Sequence, residues 1–248
     1  MRSTMEFKNH KITEAVCAFR FTPSENTVWD STFLGEYYNR IKETGFEKKQ
    51  EITPFKLDFQ INPNEGIKDS KVSHGESQMV FKTTDEKYAI LMGNSYISFH
   101  SLNHYPGWNV FLPEVIEKNI TTYFGLGLGK GIASAQMIFI NNFEIEAGRN
   151  LSDYLVFVPE MENFGQGDEI SHLFQSTYSI KPNKQLTLRT IFNILPPGNV
   201  KKVTLESNCI ANNSEQNLTW KVLVTDAHDN ARNAFVKVAS EYFKNIIK

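Results

Sequence analysis

The chain has 248 residues, and its 26 basic and 28 acidic side chains leave a formal net charge of −2, so no long-range field draws it toward nucleic acid or anionic lipid. With 40% hydrophobic and 22% charged residues, 14 glycines and 9 prolines, the composition is that of a folded chain with a sizeable core. It excludes disordered, collagen-like and coiled-coil classes.

Residues 12–21 predict a strand in which Cys17, Phe19 and Phe21 alternate with Ala18 and Arg20, ended by Pro23-Ser24-Glu25-Asn26. A helix is expected over 29–42, where Phe33 or Leu34, Tyr37 or Tyr38, and Ile41 recur at helical spacing, with Gly45 as its stop. Strands at 55–61, 78–83, 88–92 and 96–100 then read as an antiparallel meander, punctuated by Asn62-Pro63-Asn64-Glu65-Gly66, Thr84-Asp85-Glu86 and Gly93-Asn94. A second helix over 108–124 carries Leu112, Val115, Ile116 and Ile120 on one stripe and ends at Gly125.

The order of elements then begins again, with a strand at 134–145, a short helix or apolar crossover at 151–158, and strands at 170–180, 185–195, 200–210 and 218–225. A closing helix over 229–247 puts Ala231, Phe235, Val238, Tyr242 and Ile246 on one face, with Asp226 and Asp229 placed as N-cap and first-turn carboxylate. This repetition predicts an α+β fold of two tandem β-α-β(4)-α halves, residues 1–127 and 128–248, with antiparallel curved sheets under long covering helices. The alternative is one large α+β sheet that shows the same order by chance. The order resembles the half-repeat of the TATA-box-binding-protein-like and helix-grip folds, which implies an open sheet face or a gap under the helix that holds DNA, protein or a hydrophobic ligand.

Motifs that carry chemistry are scarce. Gly125-Leu126-Gly127-Leu128-Gly129-Lys130-Gly131 fails as a phosphate loop, because Phe124 and Gly131 stand where a Gly and a Ser or Thr are required. The segment also leaves a helix C-terminus, whose dipole repels phosphate, so it reads as a helix stop and hinge between the halves. His100 and His104 have the spacing of a helical metal pair but lie at a strand end, with no carboxylate adjacent in sequence, and read as a solvated pair. His10, His74, Glu76 and His172 have no local partner suited to proton transfer. Asp226, His228 and Asp229 form the only compact charged cluster with a titrating member, and helix capping accounts for both aspartates.

Lys48-Lys49, Lys181 with Lys184, and Lys201-Lys202 are short basic spots, and 19 of the aromatic residues are Phe, which points to core rather than stacking platforms. Nucleic-acid contact stays possible but is not favoured. Cys17 and Cys209 read as buried free thiols of a reducing compartment. The absence of an apolar run long enough to span a bilayer and of a secretory signal at the N-terminus leads to the expectation of a cytoplasmic protein without membrane contact.

Ile12-Thr13-Glu14-Ala15-Val16-Cys17-Ala18-Phe19-Arg20-Phe21 resembles the N-terminal strand signature, Ile-x-Glu-Ala-Val-x-x-x-Arg-Phe, of a sporadically distributed, functionally uncharacterised bacterial family of about this length. Phe139-Ile140-Asn141 is similar to that family's Arg-Tyr-Ile-Asn strand, with Ile138 in place of the Arg, and His228-Asp229 with Phe235 is similar to its closing helix. Lys11 stands where the family has Pro. The resemblance implies the patchy inheritance of accessory genes, including those of phage-defence islands, and transfers no catalytic residue. Glu14, Arg20 and Asn141 are polar groups at strand positions where pairing across a sheet would offset their burial.

The reading is therefore a non-catalytic binding protein that offers a concave sheet surface to a protein partner, either the product of a neighbouring gene or a second copy. The loop aromatics Tyr105 and Trp108 are candidate anchors, set against the plainer reading of Trp108 as a core residue that opens its helix. The alternatives are a small hydrophobic ligand held under the C-terminal helix by Phe235, Val238 and Tyr242, nucleic acid on the sheet, and a weak enzyme using His228. No cofactor or metal is expected.

Overall fold

The described residues form eleven strands, most of them from period-2 alternation, and nine of them join one antiparallel sheet. The computed structural model describes residues 10–23, 29–53, 55–62, 66–74, 77–157, 171–181, 183–195, 200–214 and 218–248. The strands are β1 (Ile12–Pro23), β2 (Lys48–Ile52), β3 (Phe55–Asn62), β4 (Gly66–His74), β5 (Gln78–Lys82), β6 (Tyr88–Gly93), β7 (Tyr96–Leu102), β8 (Gly129–Glu144), β9 (Ser171–Lys181), β10 (Lys184–Leu195) and β11 (Val200–Asn212). The main sheet runs β2-β5-β6-β7-β1-β8-β11-β10-β9, and β3 pairs with β4 in a separate two-stranded sheet. The result is a mixed α+β fold on one large curved sheet.

The expected meander holds for β5, β6 and β7 but not for residues 55–61, which pair with β4 instead. The charged segment Lys48-Lys49-Gln50-Glu51-Ile52 takes the edge place beside β5, which its lack of alternating apolar residues concealed. The expected turn at 63–65 and the break at 24–26 lie outside the described residues, as does Glu76, while His74 falls in β4 rather than in a loop.

Helices α1 (Thr32–Ile41), α2 (Trp108–Phe111), α3 (Lys118–Phe124), α4 (Leu151–Tyr154), α5 (Trp220–Val238) and α6 (Glu241–Ile246) complete the order. α1 passes into a 3₁₀ turn at Lys42–Thr44 and ends at Gly45, whose φ of 98° is left-handed and suits glycine. The single helix expected over 108–124 is split by a π-helical segment, Leu112–Glu117. Pro113 lies in its first turn, and its missing N–H removes a donor from the regular helical ladder, a defect that the wider turn accommodates.

The stretch 218–225, expected as a strand, instead opens α5, with the Thr219 side chain accepting from the Val222 amide as N-cap. Its valines and threonines favour strand locally, but Leu223, Val224, Ala227 and Ala231 recur on one helical face and are at most 1% exposed against the sheet, so packing decides. Asp226 and Asp229 consequently sit inside the helix, not at its cap: Asp226 pairs with Lys184, and Asp229 bonds His228. The helix breaks at Ala239, and Ser240 caps α6 by accepting from the Phe243 amide at 3.0 Å.

Among the described residues, the two large apolar clusters lie on one face of the sheet. One core joins Phe19, Phe99 and Met137 to Leu34 and Tyr37 of α1, Ile120 of α3 and the small residues of α5; a second joins Phe143, Val203 and Leu205 to Tyr154, Phe235 and Phe243. Tyr37 ties α1 to α3 by donating its hydroxyl to the Asn119 carbonyl at 3.1 Å, where Asn119 is itself buried. Cys17 and Cys209 are free and buried, flanking Met137 in a single row across β1, β8 and β11. No helix among the described residues is long and apolar enough to cross a membrane.

Candidate functional site

Alternation leaves the second face of the same strands without a helix among the described residues. Ala15, Cys17 and Phe19 of β1 point into the core, so Glu14, Val16, Ala18 and Arg20 point the other way. Strand register then aligns this face in rows: Leu91, Ser98, Ala18, Gln136 and Ile210; Ala89, His100, Val16, Ile138 and Asn208; Leu102, Glu14, Ile140, Glu206 and Arg189. Each row crosses the β1–β8 pair at the centre of the sheet. Ile138, Ile140, Gln136, Asn208 and Ile210 are half-buried, whereas Val16, Ala18, Ala89 and Ser98 in the same rows are buried.

Two polar systems occupy this face. In the first, His100 Nδ1 lies 2.9 Å from Glu14 Oε1 and His100 Nε2 lies 2.9 Å from Ser98 Oγ. An ionised carboxylate only accepts, so Nδ1 donates to Glu14, and Nε2 shares the second hydrogen bond with the Ser98 hydroxyl. The bond to His100 holds the Glu14 carboxyl below its usual pKa, against the opposing effect of burial. In the second, Gln136 donates to Asn208 at 2.9 Å, Asn208 donates to Glu206 at 3.5 Å, and Arg189 stands 3.9 Å from Glu206. Beside them, Asn142 donates to Thr13 at 2.8 Å and Thr204 donates to Asn142 at 2.6 Å, stitching β1, β8 and β11.

Glu14, His100 and Ser98 have the order of orienting acid, base and hydroxyl found where a nucleophile is activated. Access decides against that use in this conformation: Ser98 is 0% exposed, whereas the His100 and Glu14 side chains are 20% and 33% exposed. The hydroxyl serves as the anchor that fixes the ring, and the ring holds the acid. The face is electrostatically mixed, with Glu144 near Lys202, Glu206 near Arg189 and Arg20 over the Tyr96 ring at 5.3 Å, so it lacks the concentrated positive charge that a nucleic-acid backbone requires.

The residues singled out in the sequence lie elsewhere. Tyr105, expected as an exposed loop aromatic, is 6% exposed and packs edge-on against Phe111 and Phe139. Trp108 is half-buried on the core and stacks on His228 with ring centroids 4.2 Å apart, so it opens its helix as a packing residue. Burial lowers the His228 pKa, and Asp229 partly offsets that shift. Phe235 belongs to the second core, and Val238 and Tyr242 pack on it. The Tyr242 hydroxyl donates to Glu146 at 2.7 Å, a bond that pushes its pKa up to about 12. Two shallow clefts of about 410 and 380 Å³ lie near Glu144 and Glu146, and neither is lined by Phe235, Val238 or Tyr242.

His104 is exposed and has no part in the His100 network. The expectation of a solvated His100 therefore fails: its carboxylate comes from β1, 86 residues away in sequence. Gln136, Asn208, Glu206 and Arg189 gave no motif; their one signal is that each occupies the polar phase of an alternating strand. The Gly125 to Gly131 segment turns the chain from α3 into β8, with Gly127 at φ 70°. Among the described residues, no group of three or more His, Cys, Asp or Glu side chains is placed to hold a metal ion.

No family model matches the chain, and no curated protein matches it. Among solved structures it is similar to DynU16, a protein of the dynemicin biosynthetic locus, with 9% identity and a TM-score of 0.22 over 94% of this chain and 99% of that chain. A likeness at that TM-score carries no argument about function.

Proposed function

We propose that the protein is a non-catalytic binding protein that offers the helix-free face of its sheet to a protein partner, as an accessory component of a bacterial defence or toxin-related system. The observation that carries this reading is a face that no helix among the described residues covers, where half-buried Ile138, Ile140 and Ile210 stand beside amide and carboxylate groups already held by their neighbours. Side chains fixed before contact lose little rotamer freedom on docking, so such a surface binds at lower entropic cost than a mobile one. Its interleaved charges suit a protein better than a polyanion.

The same reading includes two tandem halves meeting at the centre of the sheet. Counted outward from the β1–β8 pair, the order is β1, β7, β6, β5, β2 on one side and β8, β11, β10, β9 on the other, so each half begins at the centre and its last strand packs beside its first. The closing helices α3 and α5 follow those last strands. The second half has three outer strands rather than the expected four, because α5 takes up the last expected strand. A hydrophobic ligand beneath α5 is the weaker reading, since Ala227 and Ala231 of α5 are 0% exposed within the core, small side chains that let the helix lie close to the sheet.

The test is affinity capture from native cells with three forms of the chain: wild type, Ile138→Lys on the open face, and Val222→Lys on the outer surface of α5, where Val222 is 51% exposed. The expected outcome is one stoichiometric protein retained by the wild type and by Val222→Lys and lost with Ile138→Lys. Retention by all three folded forms refutes the open-face reading.

A further inference from the structure

The two outer strands of the main sheet differ in a way the open-face reading does not use. β2 is five residues long, exposed at every position, and carries Lys48, Lys49 and Glu51, the charged short edge by which proteins discourage strand addition. β9, at the other edge, is eleven residues long and has no Lys, Arg, Asp or Glu from Ser171 to Ile180. Its Leu173, Tyr178 and Ile180 are 59%, 48% and 40% exposed. Phe157, 56% exposed, packs on Phe174 with ring centroids 5.2 Å apart, and Val156 beside it is 64% exposed. An edge of that length, with its only lysine at the last position and an apolar flank, lacks the usual protection against pairing.

We propose that β9 is a self-pairing edge, joining two copies of this chain antiparallel about a two-fold axis into one continuous sheet. The strand's own sequence selects the partner. An antiparallel pairing of β9 with itself centred on Ser176 sets Phe174 opposite the copy's Tyr178, twice over, and Gln175 opposite the copy's Thr177. Aromatic pairs across antiparallel strands are among the stabilising ones, and the strand meets no like-charge penalty when it faces itself, since Lys181 falls opposite the copy's Ser171. Register with β10 places Phe174 and Tyr178 on the helix-bearing side, the side on which Phe157 packs, so the two apolar flanks meet. Half-exposed residues of roughly 150–250 Å² for each aromatic leave on the order of 500 Å² of apolar surface per copy before the backbone edge is counted. That approaches the roughly 800 Å² per partner of a standard interface and fits a dimer of moderate affinity.

Sedimentation equilibrium of the full chain from about 1 to 200 μM reads the association directly. The expected result is a reversible dimer, weakened at least about tenfold in Ser176→Lys, which sets a lysine opposite its own copy. A wild type that stays monomeric throughout, or a Ser176→Lys dimer as tight as the wild type, overturns the proposal. The register is read separately by oxidative cross-linking: the Ser176→Cys variant forms an intermolecular disulfide across the axis, because directly opposed antiparallel residues stand about 4.5–5.5 Å apart. The Leu173→Cys variant does not, since its opposite residue is the copy's Ser179. Cross-linking in Leu173→Cys alone contradicts the pairing, and the native Cys17 and Cys209 are buried away from the reaction.

Discussion

One set of strands presents two opposite chemistries. On the helix-bearing face Phe19, Phe99, Met137 and Cys209 are 0% exposed and meet carbon from α1, α3 and α5. On the other, positions one residue along the same strands hold the hydrogen-bonded pairs Ser98 with His100 and Gln136 with Asn208, of which His100, Gln136 and Asn208 are half-buried and Ser98 is buried. The difference teaches where energy and where recognition reside: burial of apolar area stabilises the fold from one side, and the other contributes little to stability and is free to specialise.

The largest effect expected from breaking this contrast is in the core. Phe99→Ala removes a fully buried ring that meets Phe19 edge-on and should cost about 3–5 kcal/mol in chemical denaturation. Next comes Ala231→Leu, which inserts volume where α5 lies against the sheet; overpacking there should cost about 1–3 kcal/mol. A loss below about 0.5 kcal/mol would mean that α5 rides on a gap, which would favour a ligand beneath it.

A smaller effect is pH-dependent. His228 has a folded pKa below its unfolded value, so the neutral ring contributes stability that is present above about 6.5 and is lost as pH falls toward the folded value. His228→Phe keeps a ring against Trp108 and should flatten the decline in thermal midpoint between pH 7 and 5. An unchanged decline would assign it to other groups, among them His10, whose pKa burial also lowers.

The smallest stability effects belong to the open face. Glu14 also has a lowered pKa, so its contribution is present above about 4.5 and fades as pH falls below that value, later in an acid titration than that of His228. Glu14→Gln should cost about 1 kcal/mol or less, because the carboxylate is a third exposed, while shifting the His100 imidazole resonances in an NMR titration. Ring signals that do not respond would contradict the hydrogen bond between them.

Much of the scaffold was legible in the sequence because alternation and helical spacing report directly on which face is buried. β5 to β11 follow from runs of alternating Val, Ile, Phe and Tyr, and Gly45 marks its helix end through a left-handed φ that glycine adopts freely. Where β propensity and packing disagreed, packing won, so Leu218 to Thr225 misled; Pro113 hid a π turn inside what looked like one regular helix. The charged β2 and the β4 partner of β3 gave no apolar period to follow.

The site was legible only in fragments. Glu14 stood out as a polar residue on a strand and His100 as one of a spaced pair, but their meeting depends on β1 lying beside β7, a fact of register that a linear reading does not contain. Tyr105 and Trp108 looked like loop anchors because a Pro-Gly pair separates them; in the fold that pair turns the chain so that both rings face inward.

The most direct test of the open-face account is site-specific photo-crosslinking in native cells, with a benzophenone amino acid replacing Gln136 in one variant and Val222 in another. The account predicts a dominant adduct with a second protein from position 136, in the middle of the uncovered rows, and none from position 222 on the outer surface of α5. An adduct from 222 alone, or none from either position in the folded protein, would contradict it.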